Sequence, residues 1–392
     1  MSDANLSEIA KISETTLGQT PAAPELTKIC FTGESLRNNK ENVQSQCIRA
    51  DRQVPDSVKV HTNPEGSFNF ELDYDNWDAE WAGALGSAPF NNVAPGAGDL
   101  AIDSGANTIT DNGGGGIFSD VLVGGLIKIA NAEDGGNDGL HRVTAVDAPG
   151  NVITVVAGTL GATNANDTSA EVTQQAIVNG ALKPSQTIEK KILNNQGEDY
   201  FQVFRGMVVD TFNINIESRQ IITGEVSFIG MTRETGDDTI DNDTIYSEPQ
   251  ASDILNGTSN VGTITIDGNA ATERFKSISI EIANNLRGKD ALGVEGNFDI
   301  GTGTFTVTGS LMAYFQNNDF LDKMDANTSF ALEFSVSNAA GDALHIFMPN
   351  CKPTNGDPSI EGINTDVMVE LEYQAILDLS YGITMAINKV PA

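Results

Sequence analysis

A mainly β fold is predicted by three features of the 392-residue chain. Apolar residues recur at every second position through most segments, 39 glycines punctuate the chain as turn signals, and apolar stripes at helical spacing mark two short stretches. Strands with one apolar and one polar face pack in pairs, so the pattern reads as a β-sandwich with one or two short flanking helices. A small all-β domain is expected as an insertion within it.

Residues 1–25 are polar and contain proline, and read as an arm outside the core. The larger domain is discontinuous, over 26–87 and 181–392. Its first clear strand is Phe68-Asn-Phe70-Glu-Leu72-Asp-Tyr74. The following segment, Asp75 to Leu85, places Trp77, Trp81 and Leu85 at i, i+4 and i+8, with acidic residues early where the helix dipole favours them. Between 88 and 180 Asn, Asp and Gly dominate and aromatics nearly vanish. Three strand signals remain there, Leu122 to Ile129, Leu140 to Val146 and Val152 to Val156, separated by turn clusters at Asp134 to Gly139 and Ala148 to Asn151. This stretch is the expected insert, and Gly113 to Gly116 is expected to be a flexible hinge at its entrance.

Long alternating segments resume after Leu182. They include Phe212 to Glu217, Ile278 to Ile282, Phe305 to Ala313, Phe330 to Val336 and Val367 to Ala375, with a second short helix over Asn318 to Met324. Two of these carry notable polar rows: Asn213, Asn215 and Glu217 in one, Glu370, Glu372 and Gln374 in the other.

Lys and Arg number 22 against 54 Asp and Glu, a formal charge of −32. Such a chain grips phosphate backbones or anionic lipid only through a segregated basic patch, and none is visible. No run approaches the ~18 apolar residues of a spanning helix. The first residues lack the basic and apolar regions of a secretory signal, so synthesis and retention in a cytoplasm are expected. Cys30, Cys47 and Cys351 are too few and scattered for a disulfide framework.

Catalytic signatures are missing as well. A serine or cysteine nucleophile needs a base, and His61, His141 and His345 lie in or beside strand-like segments without a G-x-S-x-G elbow or an H-E-x-x-H helix. Asp237, Asp238, Asp241 and Asp243 offer oxygen ligands in one loop, but without the glycine and final glutamate of a calcium loop. Gly113 to Gly116 leads into a β pattern rather than a helix, which is the wrong context for a phosphate loop. No enzyme activity, cofactor or metal is expected; the chain reads as something that binds or builds.

Four stretches carry a resemblance to the tail tube proteins of long-tailed bacteriophages, of the larger siphophage type with an inserted small domain. They are Glu14 to Pro21 with Leu26 to Leu36 and Ser45 to Gln53, which resemble the family's N-terminal arm and first hairpin; Gly66 to Leu85; Tyr200 to Gly230, including Phe204-Arg-Gly206; and Ile278 to Met324, including Asn284-Asn-Leu-Arg287 and Gly301 to Gly309. The insert, with Phe118, Gly124 and Gly125, also resembles the small domain of some members. The resemblance implies a tail-tube-type β-sandwich and a non-enzymatic virion subunit, forming hexameric rings stacked into a hollow tube. The N-terminal arm would then order only against a neighbouring subunit. Further implied partners are tape-measure, tail terminator and tail-tip proteins, with double-stranded DNA passing through without adhering and no membrane involved. Assembly would occur in the host bacterial cytoplasm. An anionic wall repels DNA where a cationic one would hold it, so the two polar rows are candidates for the lumen lining. The alternative is a carbohydrate-binding or adhesin-like β-sandwich with the insert as its binding module.

Overall fold

The computed structural model describes residues 6–94, 99–193, 199–240, 244–360 and 362–392. Alternation becomes sheet wherever one face finds a core. Six strands form the centre of the larger sheet, in the spatial order Ser57–Glu71, Thr223–Ile229, Tyr200–Glu217, Phe275–Ala283, Thr306–Tyr314 and Met368–Ala375. Every neighbouring pair in this set is antiparallel. Ala343–Asn355 follows Met368–Ala375 and joins it to Phe330–Ser337 and Ala386–Val390.

The Tyr200–Glu217 strand spans 18 residues and serves two sets of neighbours. Its first half lies between Ser185–Ile192 and Thr232–Gly236, its second between Thr223–Ile229 and Phe275–Ala283. The change is made at a bulge, where Arg205 and Gly206 occupy the register step opposite Thr187. Gly206 has φ +68°, the left-handed conformation that glycine adopts without penalty.

The apolar faces converge on one core containing Phe68, Phe70, Phe212, Phe228, Leu311, Phe334 and Leu371. The helix Asp78–Leu85 closes one side of it. Trp77 stacks on Phe70 at 4.0 Å between centroids, and Trp81 packs on Phe212 at 4.4 Å. Gly86, at φ +57°, ends the helix. The second helix, Asp319–Asp325, buries Phe320 beside Phe275.

Two sequence expectations need correction. Ser7–Glu14, expected in a detached arm, is a strand of the large sheet, paired with Ser185–Ile192 along its length and with Glu25–Lys28. Burial of Ile9 and Ala10, and of Lys11 against Glu80 of the first helix, holds it there. Residues 1–5 lie outside the described residues. Gly113 to Gly116 is tied down rather than hinge-like: the Asp111 carboxylate accepts hydrogen bonds from the Gly113 and Gly115 amides, and the Asn151 side chain accepts one from Gly116. The first hairpin, which the resemblance implies and alternation alone does not mark, pairs Arg37–Gln44 with Ser57–Glu71.

Residues 100–173 build a separate seven-stranded sheet. Its order is Asn164–Asp167, Leu100–Asp103, Thr108–Asp111, Val152–Val155, Gly139–Val146, Leu126–Ala130 and Glu171–Thr173. Ile102, Ile109, Phe118, Ile127, Val143 and Ile153 are among the residues of its own core. The chain re-enters the large sheet at Ala176–Val178, which pairs with Ala386–Val390.

Candidate functional site

The two polar rows read from the sequence lie on one continuous sheet face. Strand register aligns them: Glu71, Thr223, Asn215, Ser279, Ser310 and Glu372 form one line across six strands. Asn69, Glu225, Asn213, Glu281, Thr308 and Gln374 form the next. Glu217, Ser277, Met312 and Glu370 form a third, shorter line. Five interstrand steps of ~4.8 Å make the face about 24 Å wide.

Six glutamates mark this face: Glu71, Glu217, Glu225, Glu281, Glu370 and Glu372. Among the described residues none of them takes part in an ion pair. Lys352 sits at one edge, opposite Gln374, with its ammonium donating to the Asn327 carbonyl at 2.8 Å. Between the glutamates the lining is mostly amide and hydroxyl side chains with Met312, and includes the Ser279–Ser310 hydroxyl pair at 3.0 Å. The centre is a shallow concavity of about 470 Å³ lined by Asn213, Asn215, Ser279, Glu281, Glu370 and Glu372 with their neighbours.

Packing beneath this floor is close. Gly309 is paired with Tyr373, and a side chain at Gly309 would meet the Tyr373 hydroxyl at 2.5 Å and the Ser279 carbonyl at 2.2 Å. The tyrosine, 1% exposed, fills the space that a side chain there would need. The face therefore presents oxygen atoms and negative charge over a rigid apolar layer. It offers no base and nucleophile in contact, and among the described residues no cluster of His, Cys, Asp and Glu suited to a metal. The geometry is that of a surface, not of a catalytic cleft.

The family model described as phage tail tube protein matches residues 4–375. The chain belongs to the phage tail tube family. It is a structural, non-enzymatic component of the virion tail, and it assembles with itself and with other tail proteins. No curated protein matches it. No helix among the described residues is long and apolar enough to cross a membrane.

Within this tail tube protein the histidines serve the fold. His141 is 3% exposed, with its Nε2 2.9 Å from the Asn137 carbonyl. His345 lies 3.9 Å from Glu333, and burial together with the Arg142 charge pushes its pKa down to about 4. His61 lies within the Ser57–Glu71 strand. Of the acidic loop, Asp241 and Asp243 lie outside the described residues. The turn at 134–139 is closed by its own side chains: Asp134 caps the short 3-10 turn Gly135–Asn137, and the buried Asn137 accepts from the amides of Gly161 and Ala162.

Glu71, Glu225 and Glu281 escaped the sequence reading as site residues. Glu71 and Glu281 stand at polar positions of strands that alternation identifies, so the signal was present. Strand order, which puts them beside Asn215 and Glu372, has no local signature.

Proposed function

We propose that the subunit forms hexameric rings stacked into a hollow conduit for the genome, with the acidic six-strand face lining the lumen. The observation that carries this reading is the alignment of two distant polar rows into one glutamate-bearing concave face. Double-stranded DNA carries one negative charge per ~1.7 Å of axis, and an anionic wall gives it no counterion-release energy, so it slides without adhering. Tape-measure, tail terminator and tail-tip proteins are the partners that such a conduit requires at its centre and ends.

Ring stacking has a physical candidate in the Arg37–Glu65 hairpin. Residues 37–65 hold five of the 22 cations, Arg37, Lys40, Arg49, Arg52 and Lys59, against four acids, Glu41, Asp51, Asp56 and Glu65. That makes the segment net positive on a chain of −32. Val43, Ile48, Val54, Val58 and Val60 are all exposed on it. Arg37, Arg49 and Lys59 are ion-paired to Glu65, Asp51 and Glu295, and Lys40 and Arg52 have no ion pair among the described residues; these two cations beside the exposed apolar side chains complement the acidic body of another copy. The insert offers little to the adhesin alternative, because Phe118 is buried in its core and Phe90 packs against the main core.

Electron microscopy of concentrated purified protein tests the reading. Rings of six or hollow filaments are expected. Monomers under conditions that support tail assembly, or rings of another order, would contradict it.

A further inference from the structure

The insert shows an unusual division of its charges. Residues 88–180 contain ten acids and two cations, Lys128 and Arg142, a net −8. Both cations are committed to the body of the tube subunit. The Lys128 ammonium donates to the Pro391 carbonyl at 2.8 Å. Arg142, 7% exposed, donates to the Gly124 carbonyl at 2.6 Å and to Glu333 of the Phe330–Ser337 strand, while its guanidinium lies 3.6 Å from the ring centre of Phe347. Asn388 adds a hydrogen bond to the Leu126 carbonyl at 3.1 Å. Gly124 packs so close to Ile383 that a Cβ would come within 2.2 Å of it.

The surface left over is uniform. Asp99, Asp103, Asp120, Glu133, Asp138 and Glu171 are exposed, and no acid of the insert pairs with a cation among the described residues. Leu140, beside the docking contact, is the one large apolar side chain of the insert that is markedly exposed among the described residues. A binding module displays aromatic, apolar or cationic anchors. This surface displays none of them, and like-charged surfaces repel within a Debye length of ~8 Å at physiological salt.

We propose that the insert is a fixed anionic spacer on the outside of the tube, pinned by Arg142 and Lys128, which keeps tubes from associating side by side. The proposal rests on the tube reading above and adds a function to it. The two cations act as anchors: docking buries the Arg142 guanidinium and holds the half-exposed Lys128 ammonium at the end of the chain, against the body of the subunit.

Tubes assembled from full-length Asp99→Lys, Asp120→Lys, Glu171→Lys protein test this. Those three carboxylates accept no hydrogen bond among the described residues, and the change takes the insert from −8 to −2. Light scattering and electron microscopy at low salt are expected to show dispersed wild-type tubes and bundled variant tubes, with the variant slower in electrophoresis of intact tubes. Altered mobility without bundling would overturn the spacer function while leaving the insert on the outside. Unaltered mobility would overturn the outer placement and the spacer with it, though the tube itself would stand. If the lysine variant fails to assemble, Asp99→Asn, Asp120→Asn, Glu171→Gln, at −5, is read by the same two measurements.

Discussion

Replacing Glu370 and Glu372 by lysine turns the proposed lumen lining against its cargo. Both side chains are exposed, and neither has a hydrogen-bond or ion-pair partner among the described residues, so the fold should lose no more than about 0.5 kcal/mol. Electrostatically the effect is large. The six glutamates of the face become four glutamates and two lysines, a change of +4 per subunit. Each lysine that reaches a phosphate adds a counterion-release slope of about 0.9 in log–log form, so two contacts per subunit weaken by roughly 12-fold between 50 and 200 mM salt. Ejection from particles carrying the double variant should be slow at 50 mM salt and recover by an amount of that order at 200 mM. Single-particle fluorescence of DNA release measures it. Normal ejection at low salt, from particles with normal tails, would refute the assignment of this face to the lumen.

Other expectations follow from the packing. Trp81→Ala should cost about 3–5 kcal/mol, because the 2%-exposed indole fills the space between helix and sheet; the shift in urea midpoint of the unassembled subunit measures it. His345 is held neutral, with a folded pKa of about 4 against 6.5 unfolded, so the unfolded chain binds the extra proton between these values. Its contribution is complete above pH 6.5 and is lost as pH falls toward 4, amounting to about 2 kcal/mol by pH 5. A His345→Gln variant should lack that part of the pH slope in denaturation curves. Arg142→Ala leaves Glu333 without its guanidinium and Phe347 without its stacked cation, so it should expose the insert's junction to limited proteolysis while the 100–173 sheet stays protected. Unchanged cleavage at the junction would remove Arg142 from the docking role.

The sequence was most legible where one face of a strand is buried. Phe330–Ser337 and Met368–Ala375 alternate without error between buried core residues and more exposed ones, and both stood out by their period of two. The Trp77, Trp81 and Leu85 stripe likewise marked its helix. Legibility failed where burial did not follow polarity. Arg37–Gln44 is exposed or half-exposed on both faces, so nothing forces alternation there. In Ser7–Glu14 a lysine occupies a buried position because Glu80, from the distant helix, neutralises it. The glycines at 113–116 looked mobile because glycine composition alone does not show tethers: Asp111 holds the amides two and four residues on, a local turn, and Asn151 holds Gly116 from 35 positions away. The acidic face was half visible: each row could be read from its strand, but their common plane depends on strand pairings between distant parts of the chain, such as Asn215 with Ser279 and Ser310 with Glu372.

An electron cryomicroscopy map of the assembled tube, at a resolution that shows side chains, addresses the central claim most directly. The account predicts Asn215, Glu281 and Glu372 pointing at the tube axis, with the 100–173 sheet at the greatest radius. A channel lined by another surface, rich in lysine and arginine, with the glutamate rows turned outward or covered by a neighbouring subunit, would contradict it.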